Sequence, residues 1–433
     1  MRLIAHVTLL TGGLLSAFLA AQPQAPAATT VATDTRPVIS SPEWHFDGRI
    51  ARPVLENYLS RAVTGSELLH GIGDVTDNLR FLTNTGTKFV GRAIYRWGGE
   101  AGLPALLERA KSVADRVHAA DPDVILQAAC FEIVTRQVAR LAIPARVFEA
   151  FDLAPESRPF NYEAMLYPEG HRVNHWADGA SVPDMSRLET RLWFFHLGAS
   201  YLDVGIEAIH FGQVEIMDDR DPDQVHWRDL LARLRQYATR HARRHLLLCD
   251  AHVPSGGLVH DGQLLFDLHS FPLRIEEVTE RPREGVLKIG YLDSLFGRSR
   301  GGVTPSGWRC DHLPYLVELD NFEPSGKPGQ NIGGHWIWGY DEICWFAHQP
   351  EAYRNDWLRY AWRWIREQDA NGYLQMPFSR TLVDPVGKQH WYWANSRSAA
   401  AADGFSQEET IKAIWREAGL PAAAPPTGGT TSR

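Results

Sequence analysis

From Phe81 onward, short runs rich in β-branched and aromatic residues alternate with longer stretches of helical period, and this alternation limits the possible folds more than any other feature. "KFVGRAIYRWG" is followed by the helical "LPALLERAKSVADRVHAADPD", then by "VILQAACFEIV". After a longer insert, "IEAIHFGQVEIM" precedes a helix on which Trp227, Leu230, Leu231 and Leu234 form one apolar stripe. The runs "HLLLCDAHVP", "LLFDLHSFPLRI", "GVLKIGYLDSL", "PYLVELDNF" and "GYLQMPFSR" continue the pattern, with Trp357, Tyr360, Ala361 and Trp364 on a helix before the last. Strands that are apolar along most of their length and separated by helices belong to a parallel sheet covered on its outer side. Eight such runs predict an α/β fold, a (β/α)8 TIM-type barrel with elaborated loops. The connection between the fifth and sixth runs is too short and too polar for a full helix. No G-x-G-x-x-G or P-loop pattern follows any run, which speaks against a nucleotide-binding sheet.

With 44% hydrophobic and 22% charged residues, most of the 433-residue chain has the composition of a folded protein. A net charge of −8 and the lack of a Lys/Arg block argue against nucleic acid as a partner. Residues 1–21 carry one early Arg and an apolar stretch interrupted by Gly12 and Gly13, the pattern of a signal peptide rather than a membrane span. The chain is therefore expected to be exported, periplasmic or extracellular, with no stable membrane insertion after cleavage. A Pro/Ala-rich linker over 22–40, one catalytic barrel over 41–420 and a mobile tail over 421–433 complete the expected organisation. Of the four cysteines, Cys130 and Cys249 fall in apolar runs and read as buried thiols, and Cys310 with Cys344 is the one pairing worth testing.

Barrel chemistry gathers at the C-terminal strand ends, and polar residues recur there in phase. Tyr95 and Trp97 share a face on the first run, and Glu132 follows Ala128 and Cys130 on the second. Phe211, Gln213 and Glu215 share a face on the third, then Asp250 with His252, Asp267 with His269, Tyr291 with Asp293, and Glu318 with Asp320 on the next four. One acid at a strand end is ordinarily a salt bridge or a helix cap. Acids repeated on several strands raise one another's pKa, a cost that makes sense where a proton donor is needed.

"FGQVEIM" with Glu215 and "YLVELDNF" with Glu318 resemble the strand-end acids of (β/α)8-barrel glycoside hydrolases, and the architectural resemblance covers residues 81–380. Such enzymes commonly place their acids on the fourth and seventh strands, whereas Glu215 falls on the third run, so either one strand is miscounted or Asp250 takes that role. The resemblance implies a carbohydrate substrate, no cofactor and no metal, with Glu215 as general acid/base and Glu318 as its partner. Glu132, Asp250 and Asp320 stand in reserve. A carboxyl separation of about 5–5.5 Å would imply retention of configuration, the expected outcome, and about 6.5–9.5 Å inversion.

The chain's 15 Trp supply aromatic faces that can stack on sugar rings. Trp336, Trp338 and Tyr340 lie on a Gly-bearing loop after "PYLVELDNF", and "HWYWANS" adds Trp391, Tyr392 and Trp393. With Trp97, Gln213, His252, His269 and Asp293, the first three form the expected substrate-binding set. Three other readings stay open: a metal-dependent hydrolase built on Asp250, His252, Asp267 and His269; a polysaccharide lyase using Arg96, Tyr291, His269 and Arg380; and a non-catalytic carbohydrate-binding protein.

Overall fold

The computed structural model describes residues 43–418, except residues 323 and 386. The expected leader (1–21), linker (22–40) and tail (421–433) lie outside the described residues. Eight parallel strands close into a barrel: β1 (Ala62–Gly65), β2 (Phe89–Tyr95), β3 (Ile125–Ala129), β4 (Ala208–Gln213), β5 (Leu248–His252), β6 (His269–Pro272), β7 (Tyr315–Glu318) and β8 (Gly372–Val383). The closing pairing is β1 with β8, Val63 facing Met376 and Thr64 facing Pro377. Beyond the rim, β8 continues into an antiparallel hairpin with β9 (Gln389–Trp393).

The strand count of eight is right, but one expected run is not a barrel strand and one barrel strand was not among the expected runs. The four-residue β1 is too short to stand out in the sequence. "GVLKIGYLDSL" supplies only Gly285–Val286, paired with Glu276–Glu277 in a separate two-stranded ribbon. Glu215 accordingly follows the fourth strand and Glu318 ends the seventh.

Helix α1 (Arg52–Leu59) starts with Pro53 in its first turn and buries Val54, Leu55, Tyr58 and Leu59 as a plug at the N-terminal end of the barrel. They pack on one inward layer, Ala62, Phe89, Ile125, Ala208, Leu248, Leu268, Leu316 and Tyr373. Outside the barrel, α2 (Val75–Thr85) begins at Asp74, whose carboxylate accepts from the Thr76 and Asp77 N–H groups at 2.8 and 3.0 Å. Next come α3 (Leu103–Ala120), α4 (Leu188–Asp203) and α5 (Val225–His241), the last burying the stripe of Trp227, Leu230, Leu231 and Leu234. Between α5 and Glu342 no α-helix occurs among the described residues. The strips Val259–His260, Gln263–Leu264, Gly302–Val303 and Arg309–Cys310 form a small sheet in that stretch instead. Helices α6 (Glu342–Ala347), α7 (Glu351–Gln368) and α8 (Glu408–Ala418) complete the layer.

All four cysteines are buried and free. The pairing considered for Cys310 and Cys344 is not formed: the Cys310 thiol lies 3.9 Å from the Gly302 carbonyl, and the Cys344 sulfur accepts the Val383 N–H at 3.3 Å. Among the described residues no helix is long and apolar enough to cross a membrane.

Candidate active site at the barrel mouth

Above the apolar plug the inward layer turns polar, with Thr64, Gln127, His210, Asp250, Ser270, Glu318 and Gln375 all buried. The Gln127 amide donates to Asp250 Oδ1, and the His210 Nδ1–H donates to Asp250 Oδ2 at 2.8 Å. Ser270 Oγ lies 3.1 Å from the same His210 nitrogen although β5 stands between their strands, a contact possible only across the barrel interior. His210 Nε2 is buried with no hydrogen-bond partner.

Two β-bulges set the mouth. On β2, Val90 pairs with Leu126 and Ile94 with Ala128, so the three residues between them oppose Gln127 alone, and Arg92 takes a left-handed φ of 56°. The kink brings the Arg92 side chain into the barrel, where Nη2 contacts Glu318 Oε1 and lies 3.7 Å from Asp320 Oδ1 and 3.2 Å from His252 Nε2. From β8, Arg380 Nη2 donates to Asp320 Oδ1 at 2.7 Å and to Asn321 Oδ1 at 2.6 Å, and Nη1 stands 3.6 Å from Glu318 Oε2. Thr64 donates to the same Glu318 oxygen at 2.9 Å. Both Glu318 oxygens are thus engaged, and two arginines balance two carboxylates in a buried group that would be costly to break.

Asp320 is the more open of these two acids, its side chain 15% exposed against 5% for Glu318. Burial alone would raise its pKa, but the Arg92 and Arg380 guanidiniums overcome this and hold the carboxyl well below the usual range. Burial, with His210 and Arg92 alongside, keeps His252 neutral. At the first position of α6, Glu342 is buried, accepts from Arg274 Nη1 at 3.0 Å through one oxygen and leaves the other without a partner. Burial pushes its pKa up to about 8 against the pull of Arg274, with Asp320 and Asp341 adding to the rise.

The second bulge is on β4. His210 pairs with Asp250 but Gln213 pairs with His252, so Phe211 and Gly212 together oppose Ala251, and Gly212 takes φ 61°. A Cβ there would strike the Glu132 carboxylate. The extra residue breaks the shared phase expected for Phe211, Gln213 and Glu215. Phe211 faces the helices, against Trp227 and Phe194, while Gln213 turns to the mouth. There its backbone N–H and side-chain amide both donate to buried Glu132, at 2.9 and 2.8 Å. Glu215 lies on the 3-10 turn Val214–Ile216, part-buried, and accepts the Ser255 N–H at 3.1 Å. Close by, Asp218 has its pKa pushed up to about 7 by burial and by Glu215, Asp219 and Asp221.

Other expected site residues are dispersed. Register with His252 points Ser270 inward, so His269 points outward, where it meets Ser299 Oγ at 3.0 Å. Asp267 is also outside, bound to Arg235 of α5 at 3.1 Å. The metal set Asp250, His252, Asp267 and His269 is therefore split by the barrel wall. Among the described residues no group of three or more His, Cys, Asp or Glu forms a metal-binding cluster. His269 is likewise removed from the lyase set. Arg96 of that set donates to the Gly99 carbonyl, and Tyr291 lies in a turn.

Asp293 is also in a turn and reaches the mouth only through Arg274 Nε, 2.8 Å away. Trp338 is in the core, 6% exposed, its backbone N–H bound to Glu277 at 2.6 Å and its indole N–H to the Glu284 carbonyl at 2.8 Å. Trp336 packs against Phe322 and Tyr340 against His348, both part-buried. Trp97 is exposed at the rim, edge-on to Phe131 and Trp176 at 5.4 and 5.0 Å. Among the residues absent from the expected site set, Arg92 alternates with Val90 and Ile94 and His210 with Ala208, so both share a phase with apolar neighbours, whereas no apolar alternation marks Arg274 or Glu342.

No protein-family model matches the sequence, and no curated protein does. Solved structures are similar at low identity. A debranching enzyme from Nostoc punctiforme is 12% identical, with a TM-score of 0.41 over 80% of this chain and 70% of that one. An isomalto-dextranase from Arthrobacter globiformis, complexed with panose, is 8% identical, with a TM-score of 0.29 over 74% of this chain and 48% of that one. A β-L-arabinopyranosidase from Geobacillus stearothermophilus is 12% identical, with a TM-score of 0.25 over 45% and 46%. Likeness at this level concerns the barrel fold and assigns no residue.

Proposed function

We propose that the protein is an exported glycoside hydrolase that cleaves an oligo- or polysaccharide with paired carboxylates at the barrel mouth. The observation that carries this reading is the coexistence of an acid held ionised, Asp320, with acids that keep their protons near neutrality, Glu342 and Asp218. Environments that push carboxyl pKa values apart are what acid/base division of labour requires. Hydrolysis through an oxocarbenium-like state needs negative charge beside the sugar ring and a proton for the leaving oxygen. Asp320 fits the first role better than Glu318, whose oxygens are taken by Arg92, Arg380 and Thr64; Glu318 becomes the buttress that fixes Arg92 beside Asp320. Glu215, part-buried on the turn after β4 next to the proton-holding Asp218 and bound through one backbone N–H among its described hydrogen bonds, is the donor to the leaving oxygen in this reading, with Asp218 as the neighbouring proton reservoir. Trp97 offers a rim face for a sugar ring.

The test is a panel of chromogenic glycosides with a reducing-end assay on soluble polysaccharides. Asp320→Asn and Glu215→Gln should each lower kcat/KM by about 100-fold or more on a substrate the wild type cleaves, with the unfolding transition still cooperative. Near-normal turnover in both variants would overturn the assignment. Binding of polymers without any cleavage would favour a non-catalytic carbohydrate-binding protein.

A further inference from the structure

Outside the mouth, the β8–β9 hairpin carries a cleft of about 520 Å3 lined by His390, Trp391, Trp393, Arg397, Asp403 and Phe405, among others. Its volume lies within the range of small-molecule sites, about 300–1,000 Å3. Trp391 and Trp393 are two residues apart on β9, part-buried, with ring centroids 5.5 Å apart and planes inclined by 25°. Trp393 is fixed from behind by Phe378 and by Gly73, where a Cβ would strike the indole.

The loop that forms the other wall is tied to the strand. The Phe405 N–H donates to the Trp393 carbonyl at 2.8 Å, Ser406 N–H to Asn395 at 3.1 Å, and Arg397 Nε to the Gly404 carbonyl at 2.8 Å. Gly404 lies so close to the Asn395 carbonyl that a side chain would not fit. The cleft is thus preformed, which lowers the entropy cost of binding. Arg397 and Asp403 are exposed and give it donors and an anionic acceptor together.

We propose that this cleft is a second carbohydrate-binding site that holds a neutral polysaccharide beside the barrel mouth. Indole surface with one guanidinium and one carboxylate suits a polyhydroxylated neutral ring: apolar C–H groups cover the aromatic face, hydroxyls donate to Asp403 and accept from Arg397. A polyanion or a nucleotide phosphate would meet Asp403 and the chain's net charge of −8. Because β9 is hydrogen-bonded to β8, whose Arg380 lies in the mouth, a polymer held here is anchored to the strand that bears the proposed site. The polymeric nature of the substrate rests on the hydrolase reading; the cleft's affinity does not.

The experiment is electrophoresis of the full chain through native gels containing soluble starch, dextran, arabinoxylan, mixed-linkage β-glucan, galactomannan or polygalacturonate. At least one neutral polymer should retard the wild type, and Trp391→Ala should weaken that retardation at least tenfold in polymer concentration. Asp403→Ala, an exposed change that leaves the packing intact, should weaken it severalfold; both variants are checked by thermal unfolding. Equal retardation of wild type and both variants, no retardation by any neutral polymer, or retardation by polygalacturonate alone would overturn the proposal. Retention needs no turnover: a chain that hydrolyses nothing but is still held through Trp391 supports the cleft while refuting the hydrolase.

Discussion

Asp218 offers a test in which both the sign and the size of an effect follow from its surroundings. Burial and three neighbouring acids, Glu215, Asp219 and Asp221, raise its carboxyl from 3.8 to about 7. At about 1.4 kcal/mol per tenfold change, that shift would cost the folded state about 4 kcal/mol at alkaline pH. Solvent reaches this part-buried side chain, and screening should reduce the cost to about 1–2 kcal/mol. The folded chain holds the proton more tightly than the unfolded one, so stability is lost as pH rises from about 4 through about 7. Asp218→Asn removes the titration. It should stabilise the protein by about 1–2 kcal/mol at pH ~8.5 and by less than half of that at pH ~5, read from urea midpoints at fixed slope. A gain of the same size at both pH values, or a loss at pH ~8.5, would refute the reasoning, because a purely steric or hydrogen-bonding effect carries no such pH dependence.

Trp338→Ala should cost about 3–5 kcal/mol of stability, as for a large side chain removed from a core, so a variant that unfolds at unchanged denaturant would contradict its burial. Gly212→Ala should lower stability by about 1–2 kcal/mol from its left-handed φ alone and should also disturb the Glu132–Gln213 contact; an unchanged urea midpoint would speak against the β4 bulge. The mature protein from its native host should begin near Gln22, and terminal mass spectrometry that finds an intact Met1 would contradict export.

How much of the molecule was legible in its residues depended on how local the deciding physics is. Apolar runs and helical stripes are local, and they were enough for the closed barrel, for the buried face of α5, and for the inward pairing of Asp250 with His252. The β1 strand was lost because four residues, Ala62–Gly65, carry too little period to register, and "GVLKIGYLDSL" was misread because an apolar run does not say what pairs with it. Sidedness was the least legible property. A strand's period is two, so one extra residue reverses every side chain beyond it, and whether a bulge exists is settled by the hydrogen-bond register of the neighbouring strand. That is how Gly212 separated Phe211 from Gln213, and how register with His252 put His269 outside the wall. The ionisation of the site is non-local for the same reason. Glu318 and Asp320 were visible as acids at a strand end, but Arg92 and Arg380, more than 220 residues and about 60 residues away, tie up the Glu318 oxygens and hold the more open Asp320 ionised.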